Sequence, residues 1–439
     1  MEILEYNKWL ARKDIEYRNS ELYFADLNMN KIAEEYGTPV YVLNEMGVRK
    51  RYKELKDLLN SVYKKNSIHY AVKANSNLAI LRILKSEGAH FDCTSKGEIF
   101  FCLKAGIPPE KILFTGNMLS DEDLEYAVNK NVKINLDSLS QLDRLIKIQE
   151  KLNKQRDLIS FRINPEFGAG HHVKTITAGK DIKFGILEHQ VMEAYEKAIS
   201  AGFKKFGIHQ HIGSGIINAN DFRKAVEKYL DIVLQVKKKL DIQFKFVDFG
   251  GGLGIPYHPD QDPLDLELYK RIIIKKFKDL VEDEDLGEPN LFIEPGRYLV
   301  AESEILISKI TTIKNNGYKI FVGLDAGFHT LIRPAMYGSY HHIIPCADSG
   351  KKKIKYDIVG PLCESGDILG KDRTFPKLKE GEYLSILDVG AYGYSMSSTY
   401  NVRPKPAELL IESKNVYKVR KPQPLEDLLE HQELPDHLK

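Results

Sequence analysis

Between residues 65 and 297 the chain repeats one pattern, in which a short apolar run ends in polar or glycine-rich residues and a helical segment follows. The runs are, in order, SIHYAVKAN, AHFDCTS, KILFTGN, VKINLDS, ISFRINP, FGIHQHIGS, FVDFGGG and LFIEPG. Most are separated by amphipathic segments such as VMEAYEKAISAG, whose apolar residues recur at helical spacing. Eight such units predict a closed parallel (β/α)8 barrel, because the strands of such a barrel are buried on both faces. An open doubly wound sheet is the alternative.

The chain changes character after Arg297, where helical patterns give way to strand-like segments separated by turns. Seven of them, from ILISKITTI to VYKVRK, predict a C-terminal all-β domain of barrel-like form. The N-terminal piece ELYFADLN is also strand-like, and we expect it to complete the β domain in space. The predicted division is an N-terminal segment 1–44 that contributes to the β domain, a barrel 45–298, and a β domain with a polar tail 299–439.

Length and composition limit the partners of the chain. At 439 residues it is long enough for two or three domains. Its 64 basic and 62 acidic residues leave a net charge of +2, which gives no reason to expect binding to nucleic acid or to a membrane surface. No run approaches the ~18 apolar residues of a membrane span. The first twenty residues lack the apolar core of a secretion signal, and the four cysteines have no disulfide-like or zinc-like spacing. We therefore expect a cytoplasmic protein.

Polar residues and glycines end several of the eight runs. The active site of a parallel barrel forms at the C-terminal ends of its strands, so these residues should face one mouth. They are Lys73, Asp92, His209, His211, Ser214, Gly250, Gly251, Gly252, Glu294, Gly296 and Arg297. The sequence therefore predicts a site that combines a lysine, imidazoles, a triple glycine and a carboxylate.

Lys73 follows a strand that is apolar on both faces, which is an unusual place for a cation. One interpretation is that Lys73 ends the strand and extends its amine into water. The other is that a dry pocket keeps the amine neutral enough to form a Schiff base. The pattern around Lys73 alone leaves both interpretations open.

His209 and His211 lie two apart on a strand and therefore share a face. The same HxH spacing begins the zinc site of metal-dependent hydrolase barrels. The other strand ends, however, offer a single carboxylate, Glu294, and no second HxH, so we predict no metal. Two interpretations remain: a structural pair in the core, and an imidazole stacked on a planar ligand, with Ser214 donating to the phosphate of that ligand.

Two further turns are suited to an anionic ring cofactor. DFGGGLGIP closes the seventh run with three consecutive glycines, whose backbone N–H groups can surround a phosphate, although a tight turn would also explain them. IEPGRYL places Glu294 three residues before Arg297, which a simple ion pair would explain. Facing a ring cofactor, Glu294 would instead hold a pyridinium N–H, and Arg297 could clamp a carboxylate.

Seven motifs occur in an order that is typical of one enzyme family: YAVKAN with Lys73, HIGSG with His211, the triple glycine, EPGR, RPAMYGSYHH, GPLCESGD and GAYG. On these motifs, which run from about Glu34 to about Leu410, the chain resembles the fold-type III pyridoxal-phosphate-dependent decarboxylases, and most closely those that act on diaminopimelate. The resemblance implies an alanine racemase-like (β/α)8 barrel with a β domain. It also implies pyridoxal 5'-phosphate as the cofactor, and a homodimer whose active sites lie at the subunit interface.

The resemblance further implies roles for single residues around the cofactor. Lys73 is similar to the lysine that forms a Schiff base with the cofactor, His211 to the imidazole stacked on the ring, and Glu294 to the acid that pairs with the pyridine nitrogen. The implied phosphate-binding set is Ser214, Gly250, Gly251, Gly252, the backbone of Gly296 and Arg297, and the hydroxyl of Tyr392.

A second implied set contacts the substrate. It consists of Arg297, Arg333, Tyr337, Glu364 and Tyr392. Glu364 would pair with a distal ammonium group and Cys363 would reprotonate the carbanion, both from the partner subunit. The implied reaction is decarboxylation of meso-2,6-diaminopimelate to L-lysine and carbon dioxide, the last step of lysine biosynthesis. Alternatives are a decarboxylase of the ornithine, lysine, arginine or carboxynorspermidine type, and a cofactor-carrying homologue that has lost turnover.

Overall fold

The computed structural model of the protein describes residues 12–170, 172, 175–348, 350 and 353–439. These residues form two compact units. The first consists of Val48–Pro256 and Gln261–Val300, and the second of the described residues up to Gly47, Tyr257–Asp260, and those from Ala301 onward. Residues 1–11 of the predicted N-terminal segment lie outside the described residues. The predicted boundaries after residues 44 and 298 stay a prediction.

Twenty-one strands and twelve α-helices occur in the described part of the chain. The strands are β1 (Ile15–Arg18), β2 (Glu21–Phe24), β3 (Leu27–Asn28), β4 (Val40–Asn44), β5 (Asn66–Ala71), β6 (His90–Cys93), β7 (Ile112–Phe114), β8 (Lys133–Leu136), β9 (Leu158–Asn164), β10 (Ile186–Leu187), β11 (Lys205–Gln210), β12 (Phe244–Asp248), β13 (Asn290–Ile293), β14 (Glu304–Asn315), β15 (Ile320–Leu324), β16 (Ile343–Pro345), β17 (Lys353–Val359), β18 (Ile368–Pro376), β19 (Tyr383–Ile386), β20 (Ala407–Glu412) and β21 (Asn415–Arg420). The helices are α1 (Met29–Tyr36), α2 (Glu45–Asn60), α3 (Leu78–Ser86), α4 (Lys96–Lys104), α5 (Asp121–Lys130), α6 (Leu139–Lys151), α7 (Glu188–Ser200), α8 (Arg223–Leu240), α9 (Leu266–Tyr269), α10 (Lys276–Asp283), α11 (Arg297–Val300) and α12 (Arg333–Tyr337). Among the described helices, none combines the length and the apolar content that crossing a membrane requires.

Eight parallel strands of the first unit close into a barrel, which confirms the predicted fold class. Their order around the barrel is β5, β6, β7, β8, β9, β11, β12 and β13, and β13 pairs again with β5. Each of the eight apolar runs in the sequence supplies one of these strands. Short β10 adds a further parallel pairing to β9. Because all eight strands are parallel, their C-terminal ends lie at the same mouth of the barrel.

Apolar side chains fill the barrel interior. Phe246 on β12 and Phe292 on β13 stack with 4.6 Å between ring centroids, and both belong to one buried cluster with Leu113 on β7. Strands β7 and β12 are not neighbours, so these side chains meet across the interior. These side chains form a packed core inside the barrel, as is usual for this fold.

Polar residues at the start of the first barrel helices fix where each connection ends. The N-caps of α3, α4, α5 and α6 are Asn77, Ser95, Ser120 and Ser138. Each side chain accepts a hydrogen bond from a backbone N–H group of the first helical turn. Such a cap contributes about 1 kcal/mol to stability. Each cap lies within a few residues of the N–H group that it binds, so the local sequence specifies where these helices begin.

The second unit contains an all-β domain with an N-terminal strand, as predicted. Its main sheet has the order β18, β17, β15, β14, β4, β20 and β21, and β19 pairs with both β14 and β16. The N-terminal strand of this sheet is β4, which is antiparallel to β14 and parallel to β20. ELYFADLN instead contributes to the separate sheet β1, β2 and β3. Its Leu22 and Phe24 nevertheless join the same hydrophobic core as Ile305 and Leu409.

Candidate active site

Lys73 forms an ion pair with a buried acid at the barrel mouth. Strand β5 ends at Ala71, and a 3₁₀ turn, Val72–Ala74, carries the lysine beyond the strand. The Nζ atom of Lys73 lies 3.1 Å from Oδ2 of Asp92 on β6. The side chain of Asp92 is fully buried, whereas that of Lys73 is 36% exposed. The hydroxyl of Thr115 donates to the other oxygen of Asp92. Lys73 therefore neither extends freely into water nor lies in an apolar pocket.

Glu294 follows β13 and pairs with an imidazole. Its Oε2 lies 3.0 Å from Nε2 of His209 on β11, and both side chains are buried. Oε1 of Glu294 is also buried and has no hydrogen-bond partner among the described residues. Burial alone would raise the pKa of Glu294, but the His209 imidazole, Lys73 and Arg162 outweigh it and lower that pKa. Glu294 is therefore a carboxylate with one oxygen still available.

Asp248, the last residue of β12, is a second buried acid beside Glu294. One polar atom each of Asp248, Glu294 and His209 lies within 4.8 Å of the others. Oδ1 of Asp248 accepts a hydrogen bond of 2.8 Å from the backbone N–H of Gly250. Burial raises the pKa of Asp248 well above its usual range, and the charge of Glu294 raises it further. The same two causes raise the pKa of Asp92.

His211 has a different partner from His209, although the two share the HxH motif. Its Nδ1 accepts a hydrogen bond of 3.0 Å from the backbone N–H of Gly251. Burial lowers the pKa of His211 well below its usual range, and the charges of Arg162 and Lys73 lower it further. The ring is therefore a neutral imidazole that carries its proton on Nε2.

The triple glycine is required by close backbone contacts. A Cβ atom on Gly250 would lie 2.2 Å from the carbonyl oxygen of Gln210, and one on Gly251 would lie 2.2 Å from that of Glu294. Gly252 has a φ of +108°, a conformation that favours glycine. The N–H groups of Gly250 and Gly251 already donate to Asp248 and His211. The turn thus packs tightly between strand ends, and two of its three N–H groups already donate hydrogen bonds within the protein.

Substitution of Gly251 by alanine should destabilise the barrel. Its new Cβ would meet a backbone oxygen, which cannot move aside as a flexible side chain could, so we expect a loss of about 1–3 kcal/mol in the free energy of unfolding. In the matched control, Gly97→Ala on α4, the nearest contact is an ordinary 3.6 Å, and the change should be neutral or stabilising by up to about 1 kcal/mol. Urea unfolding of both variants measures the difference. Equal stability of the two variants would contradict the close contact.

Arg297 begins α11 and is buried. Its Nη2 donates a hydrogen bond of 3.1 Å to the hydroxyl oxygen of Ser214. The simple ion pair with Glu294 that the sequence allowed does not form between these two described residues. A Cβ on Gly296 would lie 3.0 Å from the Cβ of Ala74, so the segment after β13 packs closely against the turn that carries Lys73.

Arg162 on β9 belongs to the charged site but was missed in the sequence analysis. Its Nη2 lies 3.2 Å from the carbonyl oxygen of His211 and 3.4 Å from that of Thr177. Its guanidinium lies 4.5 Å from the ring centroid of Phe184. Burial lowers the pKa of Arg162, and the charge of Glu294 opposes that shift. The sequence did contain a signal for this residue, because Arg162, like Lys73, is a single cation inside an apolar run.

Five of the predicted site residues lie in the second unit, where Arg333 is the most buried. Its Nη1 lies 2.7 Å from Nε2 of His341, whose Nδ1 lies 2.9 Å from the carbonyl oxygen of Leu387. The carbonyl requires the proton on Nδ1, so Nε2 accepts from the guanidinium. The guanidinium also lies 4.5 Å from the ring centroid of Tyr257.

The other four predicted residues of the second unit are at least partly accessible. Tyr337 on α12 and Tyr392 are half-buried, whereas Cys363 and Glu364 are exposed. The backbone N–H of Cys363 donates to Oδ1 of Asn401, and Oε1 of Glu364 accepts a hydrogen bond of 2.8 Å from the hydroxyl of Tyr400. The predicted roles of these residues stay predictions.

Comparison with known proteins identifies the family. The family model described as pyridoxal-dependent decarboxylase, pyridoxal binding domain, matches residues 46–301. A diaminopimelate decarboxylase from Methanothermobacter thermautotrophicus is 46% identical over 409 residues, which cover 93% of this chain and 94% of that protein. The chain belongs to the diaminopimelate decarboxylase family. The diaminopimelate decarboxylase from Archaeoglobus fulgidus is 39% identical over 418 residues, with 94% of this chain and 97% of that protein covered.

Solved structures of the diaminopimelate decarboxylase family share this fold. The crystal structure of the enzyme from M. jannaschii has a TM-score of 0.90 at 33% identity and covers 98% of this chain and 100% of that one. A structure of the enzyme from the same source in co-complex with L-lysine has a TM-score of 0.90 at 34% identity, with coverages of 97% and 99%. Membership confirms the predicted resemblance, the pyridoxal cofactor and the assignment as a carboxy-lyase.

Proposed function

We propose that the protein decarboxylates meso-2,6-diaminopimelate to L-lysine and carbon dioxide, the last step of lysine biosynthesis. The observation that carries this proposal is the 46% identity to a diaminopimelate decarboxylase along 93% of the chain. The region aligned with that relative covers so much of the chain that it contains RPAMYGSYHH and GPLCESGD as well as the barrel motifs. Further support comes from a relative that was solved with L-lysine bound.

The barrel mouth has groups that suit pyridoxal 5'-phosphate. Lys73 supplies a primary amine for covalent attachment to an aldehyde. Oε1 of Glu294 is a buried acceptor without a donor in the described part of the chain, which fits a ring N–H group. His211 supplies a neutral ring of the kind that stacks on an aromatic surface. When bound, the cofactor accepts the electron pair that the departing carboxylate leaves behind.

The phosphate of the cofactor would be held beside the glycine turn. We propose the set predicted from the sequence, Ser214, Gly250, Gly251, Gly252, Gly296, Arg297 and Tyr392. The N–H groups of Gly250 and Gly251 already donate within the protein, so these two glycines would act mainly by permitting the close approach. Ser214 and Arg297 would supply polar side-chain groups, and their mutual hydrogen bond holds them together.

We propose a homodimer in which Cys363 and Glu364 of each subunit complete the site of the other. Both side chains are exposed, in a turn flanked by glycines. Glu364 would bind the distal ammonium group of the substrate, while Arg297, Arg333, Tyr337 and Tyr392 would hold its carboxylates. Cys363 would deliver the proton that replaces the lost carboxylate.

A substrate panel tests the proposal. The holoprotein is incubated separately with meso-diaminopimelate, ornithine, lysine and arginine, and the products are identified by mass spectrometry. We expect lysine and carbon dioxide from meso-diaminopimelate. The kcat/KM values for the other three substrates should be at least about 100-fold lower. A site built for a second carboxylate and ammonium would leave some of its polar groups unpaired when one of those three is bound. A diamine as the main product would replace the proposed substrate. No product from any of the four, with cofactor bound, would indicate a homologue without turnover.

A further inference from the structure

Two buried side chains, His209 and Asp248, have no role in the function proposed above, yet both lie beside Glu294. They come from the neighbouring strands β11 and β12, and Glu294 directly follows the next strand, β13. All three side chains are at most 4% exposed. A polar group that is buried so deeply destabilises the fold unless it is hydrogen-bonded. The placement of protons in this cluster therefore decides whether its members are satisfied.

His209 has the geometry of a hydrogen-bond donor to Glu294. Its Nε2 lies 3.0 Å from Oε2 of the carboxylate, which has no proton to give. The proton of this contact must therefore sit on Nε2 of His209. The other ring nitrogen, Nδ1, is buried and has no hydrogen-bond partner among the described residues. Among the described residues, the His209 ring thus has Glu294 as its hydrogen-bond partner.

Asp248 has the geometry of a neutral acid. Its Oδ1 accepts the N–H of Gly250, whereas its Oδ2 is buried and receives no donor from any described residue. Two buried carboxyl groups whose oxygens lie within 4.8 Å of each other strongly disfavour a second negative charge. Burial and the charge of Glu294 raise the pKa of Asp248, while His209, Lys73 and Arg162 outweigh burial and lower that of Glu294. The shared proton therefore belongs to Asp248.

We propose that His209 and Asp248 are positioning residues that hold Glu294 as an oriented carboxylate for the ring nitrogen of the cofactor. His209 donates from Nε2 to Oε2, and Asp248, as a neutral acid, directs the proton on Oδ2 toward Glu294. A carboxylate has about four lone-pair sites, so both donors leave capacity for a ring N–H. This inference rests on the cofactor contact proposed for Glu294, and it does not depend on which amino acid is the substrate.

Other titratable groups face the cluster from the elements around it. They are His69 on β5, Lys73 after β5, Asp92 on β6, Arg162 on β9, His211 after β11, Tyr229 on α8 and Tyr269 on α9. Burial lowers the pKa of His211 and raises that of Tyr269, so neither of these two carries a charge near neutral pH. Burial raises the pKa of Tyr229 well above its usual range, and its hydroxyl donates to the backbone oxygen of Asp248. Burial lowers the pKa of His69 well below its usual range, so neither group adds a charge to the cluster near neutral pH.

Binding of pyridoxal phosphate to the full-length apoprotein, without substrate, tests the proposal. Asparagine at position 248 keeps an acceptor for Gly250 and offers an N–H donor in place of the acid proton, so Asp248→Asn should bind within about threefold of wild type. Asp248→Leu removes the donor and should weaken binding by about 10- to 100-fold, the usual loss of a hydrogen bond to a charged group. His209→Gln, which keeps a donor, and His209→Leu, which does not, should differ in the same way. Binding is measured by absorbance titration.

The pH dependence of apoprotein unfolding gives a second readout, which tests whether the folded protein keeps the proton of Asp248. Above pH ~4 the unfolded chain releases the Asp248 proton and the folded chain keeps it, so this group lowers wild-type stability as the pH rises. Asp248→Asn has no such proton, and every group whose pKa the substitution leaves unchanged cancels in the difference. Its stability relative to wild type should therefore increase from pH 5 to pH 8.

Two results would overturn the inference. One is an Asp248→Asn variant that binds the cofactor at least tenfold more weakly than wild type. The other is a loss of its relative stability between pH 5 and pH 8. Either would contradict a neutral Asp248 that acts through its proton. Because no substrate is used, a protein that failed to decarboxylate diaminopimelate would leave both measurements interpretable.

Discussion

Replacing Lys73 with alanine should reduce decarboxylation to background and remove the visible absorbance of a lysine-bound pyridoxal phosphate. The amine of Lys73 is the group proposed to bond to the cofactor, and alanine offers no nucleophile in its place. Borohydride reduction of the wild-type holoprotein, followed by peptide mapping, should place the mass of the reduced cofactor on the peptide that contains YAVKAN. Carbon dioxide release measures turnover in the same samples.

Lys205→Ala is the matched control for this experiment. Lys205 begins β11, is 48% exposed and pairs with Asp157 at 2.9 Å. An exposed pair of this kind contributes little to stability, so the variant should keep its absorbance, its adduct and its turnover. A Lys73→Ala variant that retained the absorbance band, or a wild-type adduct on a different peptide, would reassign the attachment point.

The fold could be predicted from the sequence because its signals are local. Parallel strands that are covered on both faces need continuous apolar runs, and each of the eight runs became a barrel strand. The strands of the N-terminal β region were harder to predict. ELYFADLN looks like one strand, but Ala25 and Asp26 have φ values of +48° and +65°, which turn the chain back between β2 and β3. Ala25 is not one of the residues, glycine, asparagine or aspartate, that usually mark such a turn.

The contacts within the site could be predicted less well because they depend on strand neighbours far apart in sequence. Alternation along β11 predicts that His209 and His211 share a face, but it does not name the partner of either ring. His209 meets Glu294 only because β11, β12 and β13 are adjacent in the closed barrel. In the sequence, Asp248 is only the first residue of DFGGGLGIP, whereas its burial between those strands makes its charge depend on Glu294.

The glycine turn shows a related limit. Consecutive glycines suggested free N–H groups for a phosphate, whereas the N–H groups of Gly250 and Gly251 donate to Asp248 and His211. A sequence cannot distinguish a glycine needed for its N–H group from one needed for its missing Cβ. The 2.2 Å approaches to neighbouring carbonyl oxygens favour the second reason for both residues.

Replacing Cys363 with alanine should lower kcat by about 10²- to 10⁴-fold, the usual contribution of a positioned general acid. Cofactor absorbance should not change, because Cys363 is proposed to act on the substrate carbon and not on the attachment of the cofactor. Of the four cysteines, all within the described residues, only Cys363 is exposed. Iodoacetamide should therefore alkylate Cys363 selectively in the native protein and lower turnover at least as far as the substitution does.

Cys346→Ala separates loss of the proton donor from a general effect of losing a thiol. Cys346 is fully buried, lies 3.2 Å from the hydroxyl oxygen of Ser385, and has a pKa raised to about 12 by burial. It cannot deliver a proton to a substrate, so its removal should lower stability without a matching loss of kcat per folded molecule. Wild-type kcat in Cys363→Ala would show that the proton comes from another group. A Cys346→Ala variant whose kcat per folded molecule fell as far as that of Cys363→Ala would show that the loss does not depend on access of the thiol to the substrate.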